Sequence, residues 1–138
     1  MPFRLIVPRE VLEKTVAQAL SERPNECCGL LAGRVDGGVG RIVAGYPLVN
    51  ALASPVEYES ESRSMFAAYR DYTSKGLDVL AVYHSHPTSP PVPSKKDLAR
   101  NYSEDVVNLI ISLTTDPPTI GAWWLTEDGF REAQWSVE

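Results

Sequence analysis

The sequence predicts a mixed α/β fold of the α+β kind, with a central mixed β-sheet flanked by helices. Short apolar runs of strand length recur along the chain between glycine- and proline-rich turns. Two longer segments instead place apolar side chains at helical spacing. No internal repeat or linker divides the 138 residues, so we expect one domain over 1–138. Its sheet should hold about six strands, with two longer helices and one short helix.

The first half of the chain predicts a helix, a hairpin and an irregular segment. Residues 8–21 repeat apolar side chains at helical spacing, and Pro24 prevents the helix from continuing. Residues 27–35 and 41–49 are apolar runs of strand length, and the glycines between them supply a hairpin turn. Segment 50–60 has little periodicity, which is typical of a loop or an edge segment.

The second half predicts a helix, a proline-rich loop and the rest of the sheet. Residues 61–75 place four large side chains on one helical face, and Gly76 is a natural stop. These four are Met65, Phe66, Tyr69 and Tyr72. The later elements are a strand over 78–84, the proline-rich loop, a short helix over 94–102, and strands over 106–113, 119–126 and 130–137.

Composition narrows the function classes. The net charge of −5 argues against nucleic acid as a partner, because phosphate binding needs a clustered basic surface. No apolar run reaches the ~18 residues of a membrane span, and the first residues do not resemble a secretory signal. The two cysteines, Cys27 and Cys28, are adjacent, which implies no disulfide framework. We therefore expect a cytoplasmic protein with neither nucleic acid nor membrane as a partner.

The two histidines, His84 and His86, lie one residue apart at the end of a predicted strand. Side chains at i and i+2 share a face of a strand, so both imidazoles can reach one metal ion. Asp97 is the local candidate for a third ligand, because the stiff proline-rich loop can return the chain to the strand end. Two simpler interpretations stay open: a surface histidine pair without a ligand, and Asp97 as the partner of Ser94 in a helix capping box.

These residues resemble a known signature. His84-Ser85-His86-Pro87, six residues, Ser94, two residues and Asp97 resemble the JAMM (MPN-plus) zinc metalloprotease motif, His-[Ser/Thr]-His-Pro-x6-Ser-x2-Asp. Compact bacterial and archaeal members carry an upstream Pro-x-Glu-x-Cys-Gly-Leu-Leu-x-Gly, and residues 24–33 read PNECCGLLAG. The resemblance implies a single JAB/MPN-type domain with a cytidine-deaminase-like architecture.

The resemblance also implies a role for each site residue. His84, His86 and Asp97 would bind one Zn²⁺ per chain, with water as the fourth ligand. Glu26 matches the family's general base, and Ser94 matches the serine that hydrogen-bonds the developing oxyanion or the water.

Other residues have simpler interpretations. Glu22 is the rival to Glu26, but it ends a predicted helix, where a glutamate is usually solvated. Cys27 and Cys28 lack the second cysteine pair of a structural zinc site, so we expect them to be buried strand residues. The tryptophans Trp123, Trp124 and Trp135 are expected in the core and on the sheet faces. The chain has neither the His-Glu-x-x-His motif nor the nucleobase deaminase motif.

The family cleaves amide or isopeptide bonds at the C-terminal tails of ubiquitin-fold proteins. For this chain the resemblance implies a peptidase or isopeptidase that cuts after the Gly-Gly tail of a ubiquitin-like sulfur-carrier protein. Segment 50–60 is a candidate edge for docking that tail. The alternatives are a general isopeptidase that removes ubiquitin-like modifiers from lysine, a phage-tail-type peptidase, and a non-catalytic MPN scaffold.

Overall fold

The structure is a computed structural model that describes residues 2–138. It has eight strands and three helices within those residues. The strands are β1 (Arg4–Val7), β2 (Cys28–Asp36), β3 (Val39–Leu48), β4 (Asp78–His86), β5 (Val107–Ser112), β6 (Thr119–Thr126), β7 (Gly129–Glu132) and β8 (Trp135–Val137). The helices are α1 (Arg9–Glu22), α2 (Ser62–Ser74) and α3 (Lys95–Ala99). The predicted mixed α/β fold is confirmed.

All eight strands form one mixed sheet in the order β7-β6-β5-β4-β2-β3-β1-β8. The edge strands β7 and β8 lie at opposite ends of this order, although only residues 133–134 separate them in sequence. Ala133 donates its N–H to the Ala122 carbonyl in β6, and Leu5 in β1 donates to the Gln134 carbonyl. The sheet therefore curls until its two edges approach each other.

The sequence prediction is wrong at these two edges. Strand β1 is missed, because its four residues RLIV adjoin Pro8 and carry too little pattern to stand out. The single strand expected over 130–137 is two strands, because the chain leaves β6 and crosses to β1 at residues 133–134. Strand β1 and the division of 130–137 into two strands both depend on pairing with strands distant in sequence. A local sequence pattern does not predict such pairing.

The two faces of the sheet bury separate apolar clusters. One contains Leu31, Ala81 and Tyr83 and packs against α1. The other contains Leu30 and Val82, their strand neighbours, and packs against α2. This is the alternation expected of strands that are buried on both faces.

Helix α2 differs from its predicted apolar face. Tyr72 is buried, but Phe66 and Tyr69 are 60% and 53% exposed. Because the curled sheet contacts only the inner side of the helix, Ala68 is buried there instead. Within residues 2–138, no helix is long and apolar enough to cross a lipid bilayer.

Candidate metal centre

Strand β4 carries the histidine pair at its C-terminal end. It pairs with β2 on one side and β5 on the other, and this ladder places His84 between Cys28 and Ile110. His84 and His86 are 1% and 4% exposed. Their Nε2 atoms lie 3.1 Å apart. The i, i+2 spacing on the strand therefore brings the two rings together on one face, as the sequence predicts.

Asp97 reaches the same point from helix α3. Its Oδ1 lies 3.1 Å from His84 Nε2, and its Oδ2 lies 3.1 Å from His86 Nε2. The carboxylate also belongs to a capping box: Asp97 donates its N–H to Ser94 Oγ, and Ser94 donates its N–H to Asp97 Oδ2 at 2.8 Å. The interpretations of Asp97 as a capping residue and as a metal ligand are thus compatible, because the cap fixes the direction of the carboxylate.

The proline-rich loop is held against the sheet from three sides. Ser112 Oγ donates to the Ser89 carbonyl at 2.7 Å, and Trp123 Nε1 donates to the Pro91 carbonyl at 2.8 Å. His86 Nδ1 lies 2.8 Å from the Pro90 carbonyl. Gly121 permits this packing, because a Cβ there would lie 2.3 Å from the Pro91 oxygen. These contacts fix the path that leads to α3.

The three residues fit a metal ion. Two imidazole nitrogens and two carboxylate oxygens converge within 3.1 Å contacts, an arrangement that a shared cation would stabilise. A tetrahedral ion with bonds of about 2.0–2.1 Å holds its ligand atoms about 3.3 Å apart. The bond to Pro90 places the His86 proton on Nδ1, which leaves the Nε2 lone pair for the ion. His84, His86 and Asp97 form a group that could bind a metal.

The three side chains of the trio shift one another's pKa. Burial raises the pKa of Asp97, but interactions with both histidine side chains, the charge of His84 and the Ser94 N–H outweigh it and hold that pKa far below its usual range. Burial lowers the pKa of His84. For His86, hydrogen bonds to Asp97 and to the Pro90 carbonyl outweigh burial and raise the pKa.

Glu26 lies beside the trio on the same face. The β2–β4 ladder pairs Cys28 with His84, and Ser85 bonds Cys27 through both its N–H and its Oγ. Glu26 lies just before this pairing, where the charges of His86 and Asp97 act on its carboxyl. Glu26 is 5% exposed, and its Oε1 has no hydrogen-bond partner. Burial raises its pKa to about 7, although the charge of His86 partly opposes this.

The comparison with known families decides the membership of this chain. Residues 8–126 match the family described as prokaryotic homologs of the JAB domain. The chain belongs to this family. The predicted membership of the JAMM-type group is thereby confirmed.

Relatives of this JAB-domain chain have named activities. It is 41% identical over 95 residues to a probable TtuB-protein conjugate cleaving protease of Thermus thermophilus, covering 68% of this chain and 61% of that protein. It is 32% identical over 123 residues to a desampylase of Pyrococcus furiosus, covering 89% and 82%. It is 29% identical over 115 residues to a CysO-cysteine peptidase of Mycobacterium tuberculosis, covering 83% and 77%.

A solved structure shares the fold. The solution structure of a protein from Desulfitobacterium hafniense superposes with a TM-score of 0.88 at 31% identity, covering 97% of this chain and 92% of that one. This likeness fits a single JAB/MPN-type domain. The expected architecture is therefore supported over nearly all of the sequence.

The structure also gives the positions of the remaining candidate site residues. Ser94 is exposed at the start of α3, with Oγ engaged in the cap. Glu22 lies away from the trio and accepts a hydrogen bond from Gln18. Cys27 and Cys28 are buried free thiols on opposite faces of β2.

The tryptophans have structural positions. Trp124 is buried in the core, and Trp135 packs against it. Trp123 is partly exposed and supports the proline-rich loop. This matches their expected placement in the core and on the sheet.

Two residues beside the site carry no motif in the sequence. Tyr58 stacks on His84, with ring centroids 4.8 Å apart and planes at 26°. It also lines a pocket of about 350 Å³ with Met65, Val82 and Arg100. Asn50 is 8% exposed and bonds the Glu26 carbonyl. Both lie in segment 50–60, whose aperiodic sequence predicts only a loop or an edge segment and a candidate docking edge, with no individual site residue.

Proposed function

We propose that the protein is a zinc-dependent peptidase or isopeptidase. In this proposal it hydrolyses the amide bond after the C-terminal Gly-Gly tail of a ubiquitin-like, sulfur-carrier protein. The observation that carries the proposal is the buried His84–His86–Asp97 trio with the unpartnered carboxylate of Glu26 next to it. The names of the relatives, which refer to TtuB conjugates, desampylation and CysO-cysteine, support the substrate class.

The donor set suits zinc, which favours imidazole nitrogen and carboxylate oxygen in a four-coordinate site. His84, His86 and Asp97 would hold one Zn²⁺. When bound, zinc supplies an activated water at neutral pH and polarises the carbonyl of the bond to be cut.

Glu26 would act as the general base and then as the acid. A base works best when its pKa lies near the working pH, and burial raises the pKa of this carboxyl to about 7. Its unpartnered Oε1 is free to take a proton from the attacking water. The same carboxyl then returns that proton to the departing amine.

Ser94 would stabilise charge on the substrate oxygen. Its Oγ already accepts the Asp97 N–H, which leaves the hydroxyl proton available for donation. A donor aimed at a developing oxyanion lowers the barrier to acyl transfer.

The leaving group separates two versions of this activity. Release of an amino acid such as cysteine from a carrier tail is the first, and cleavage of a lysine isopeptide in a protein conjugate is the second. The relatives named for TtuB-protein conjugates and for desampylation favour the second as a real alternative. A non-catalytic scaffold is disfavoured, because all three ligand positions are filled. We place the chain, as one JAMM/MPN domain, in the cytoplasm, where its two free cysteines would stay reduced.

The test is cleavage of sulfur-carrier proteins that carry a C-terminal cysteinyl or lysyl adduct after Gly-Gly. We expect cleavage by the zinc-loaded enzyme, loss of cleavage with a chelator, and recovery when Zn²⁺ is returned. Glu26→Gln should lose about 10²–10⁴-fold in rate and keep its zinc, whereas Glu22→Gln should behave like the wild type. Full activity with the chelator present, or in Glu26→Gln, would overturn the mechanism.

A further inference from the structure

The position of Glu26 depends on its backbone. Strand β2 begins at Cys28, so Glu26 lies outside the regular ladder. Its Oε1 has no hydrogen bond that could orient the carboxylate. Instead, Glu26 donates its N–H to the Ser54 carbonyl at 2.8 Å, and its own carbonyl accepts from Asn50 Nδ2 at 3.0 Å. Segment 50–60 therefore holds both backbone polar groups of this residue.

Asn50 organises that segment with one side chain. Its Nδ2 donates to the Glu26 and Glu57 carbonyls, at 3.0 and 3.2 Å. Its Oδ1 accepts from the Leu52 and Glu59 N–H groups, both at 3.1 Å. An asparagine amide has two donors and two acceptor lone pairs, so all four are used. Because the side chain is buried, these bonds are costly to lose.

The ion pairs between the segment and α3 are weaker links. Glu57 forms ion pairs with Lys96 at 3.3 Å and Arg100 at 3.7 Å, but these side chains are largely exposed. Exposed ion pairs contribute little to a fixed geometry. The buried amide of Asn50 is therefore the main side-chain connection between segment 50–60 and Glu26.

We propose that Asn50 is a positioning residue for the reaction: it sets the position of Glu26 by holding the Glu26 carbonyl while it shapes the segment that holds the Glu26 N–H. Asn50 does not touch the reacting atoms. The kinetic part of this inference rests on the proposed function, since Glu26 needs a set position only if it transfers a proton. The structural part can be tested without any substrate.

The structural test is amide hydrogen exchange in the zinc-loaded wild type and in Asn50→Asp. The aspartate keeps the two acceptors and removes both donors. We expect the Glu26 amide, which bonds Ser54, to exchange at least tenfold faster in the variant. The Ser85 amide, which bonds the Cys27 carbonyl at 3.2 Å, should be unchanged. Unchanged exchange at Glu26, or equal acceleration at both amides, would overturn the proposal.

The kinetic test uses a double-mutant cycle. Asn50→Asp and Asn50→Ala should lower kcat by about tenfold to a hundredfold, with zinc content and KM nearly unchanged. The matched control is Asn101→Ala, which removes an amide that bonds the Leu125 carbonyl in β6 and not Glu26, and it should keep full activity. In a Glu26→Gln background, Asn50→Asp should cost nothing more.

The outcomes separate this inference from the proposed function. An equal loss from Asn50→Asp with and without Glu26 would contradict a role exercised through Glu26. If Glu26→Gln itself cleaves at full rate, the proposed mechanism fails, but the exchange experiment still decides whether Asn50 holds Glu26. If Asn50→Ala does not fold, both the exchange test and the kinetic test are done with Asn50→Asp alone.

Discussion

Glu26 and Asp97 are two buried carboxylates beside the same histidine pair, but their surroundings are opposite. Each oxygen of Asp97 lies 3.1 Å from a histidine Nε2, Oδ2 also accepts the Ser94 N–H, and the pKa of Asp97 is far below the usual range. Glu26 has an oxygen without a partner, and burial raises its pKa to about 7. The first carboxylate is held by its side chain, the second by its backbone.

Under the proposed function, this difference would give the two carboxylates of one site different roles. The proposed metal ligand must stay ionised at every working pH, and the low pKa of Asp97 agrees with that role. A general base must gain and lose a proton near neutrality, which the dry surroundings of Glu26 allow. Environments that move two pKa values apart thus support Asp97 as the proposed ligand and Glu26 as the proposed base.

The largest expected effect comes from neutralising the ligand. Asp97→Asn should lose bound zinc and lower the cleavage rate by roughly 10³-fold or more, because the ion supplies several kcal/mol of barrier reduction. Metal analysis of the purified variant and the adduct assay measure both quantities. Asp105→Asn removes an exposed carboxylate and should match the wild type. Retention of one zinc per chain by Asp97→Asn would contradict the proposed role of Asp97 as a metal ligand.

A smaller effect is expected from Ser94, which lies on the Asp97 side of the site. Ser94→Ala should lower kcat by about 10²-fold if the hydroxyl donates to the oxyanion. The loss of the helix cap alone costs about 1 kcal/mol of stability. Ser94→Gly separates the two effects, since glycine caps a helix almost as well but has no hydroxyl. Near-normal turnover by the glycine variant would show that Ser94 serves only the helix.

The smallest effect concerns the stability of the metal-free chain. Glu26 has a folded pKa of about 7 against 4.5 for the free group, so folding favours its protonated form. The cost of burying it is absent below pH 4.5, grows as the pH rises, and is complete above pH 7. Glu26→Gln should therefore be more stable than the wild type above pH 7 by about 1–3 kcal/mol.

Denaturant unfolding at pH 4 and pH 8 with a chelator present checks this prediction. The difference between Glu26→Gln and the wild type should vanish at pH 4. Glu13→Gln, which removes an exposed carboxylate of α1, provides the control. A pH-independent difference would mean that Glu26 is not buried as a carboxyl without a partner.

Sequence reasoning identified the trio because its geometry is local. The i, i+2 histidines need only a strand, and Asp97 needs only a stiff loop followed by a capped helix turn. Asn50 and Tyr58 could not be found in this way. Their roles depend on how an aperiodic segment folds over Glu26 and His84, and composition does not encode that path.

The same distinction explains the fold prediction. Strands with clear alternation or long apolar runs, such as those over 78–84 and 106–113, are confirmed with small changes at their ends. The prediction fails near the ends of the sheet, because β1 and β8 are short strands that stabilise each other by pairing. Phe66 and Tyr69 are exposed although they share the predicted helical face with the buried Tyr72, because helical period predicts a shared side and not which part of it is buried.

The pairing of β1 with β8 has a consequence for how the chain is made. Leu5 pairs with Trp135, which is 130 positions later. Contacts of such long range form slowly, because a large loop must close before they contribute. During synthesis on a ribosome, β3 emerges early and can pair with β1, whereas β8 emerges only with the last residues. The segments that carry the metal centre, from Glu26 to Asp97, are synthesised well before the sheet can close.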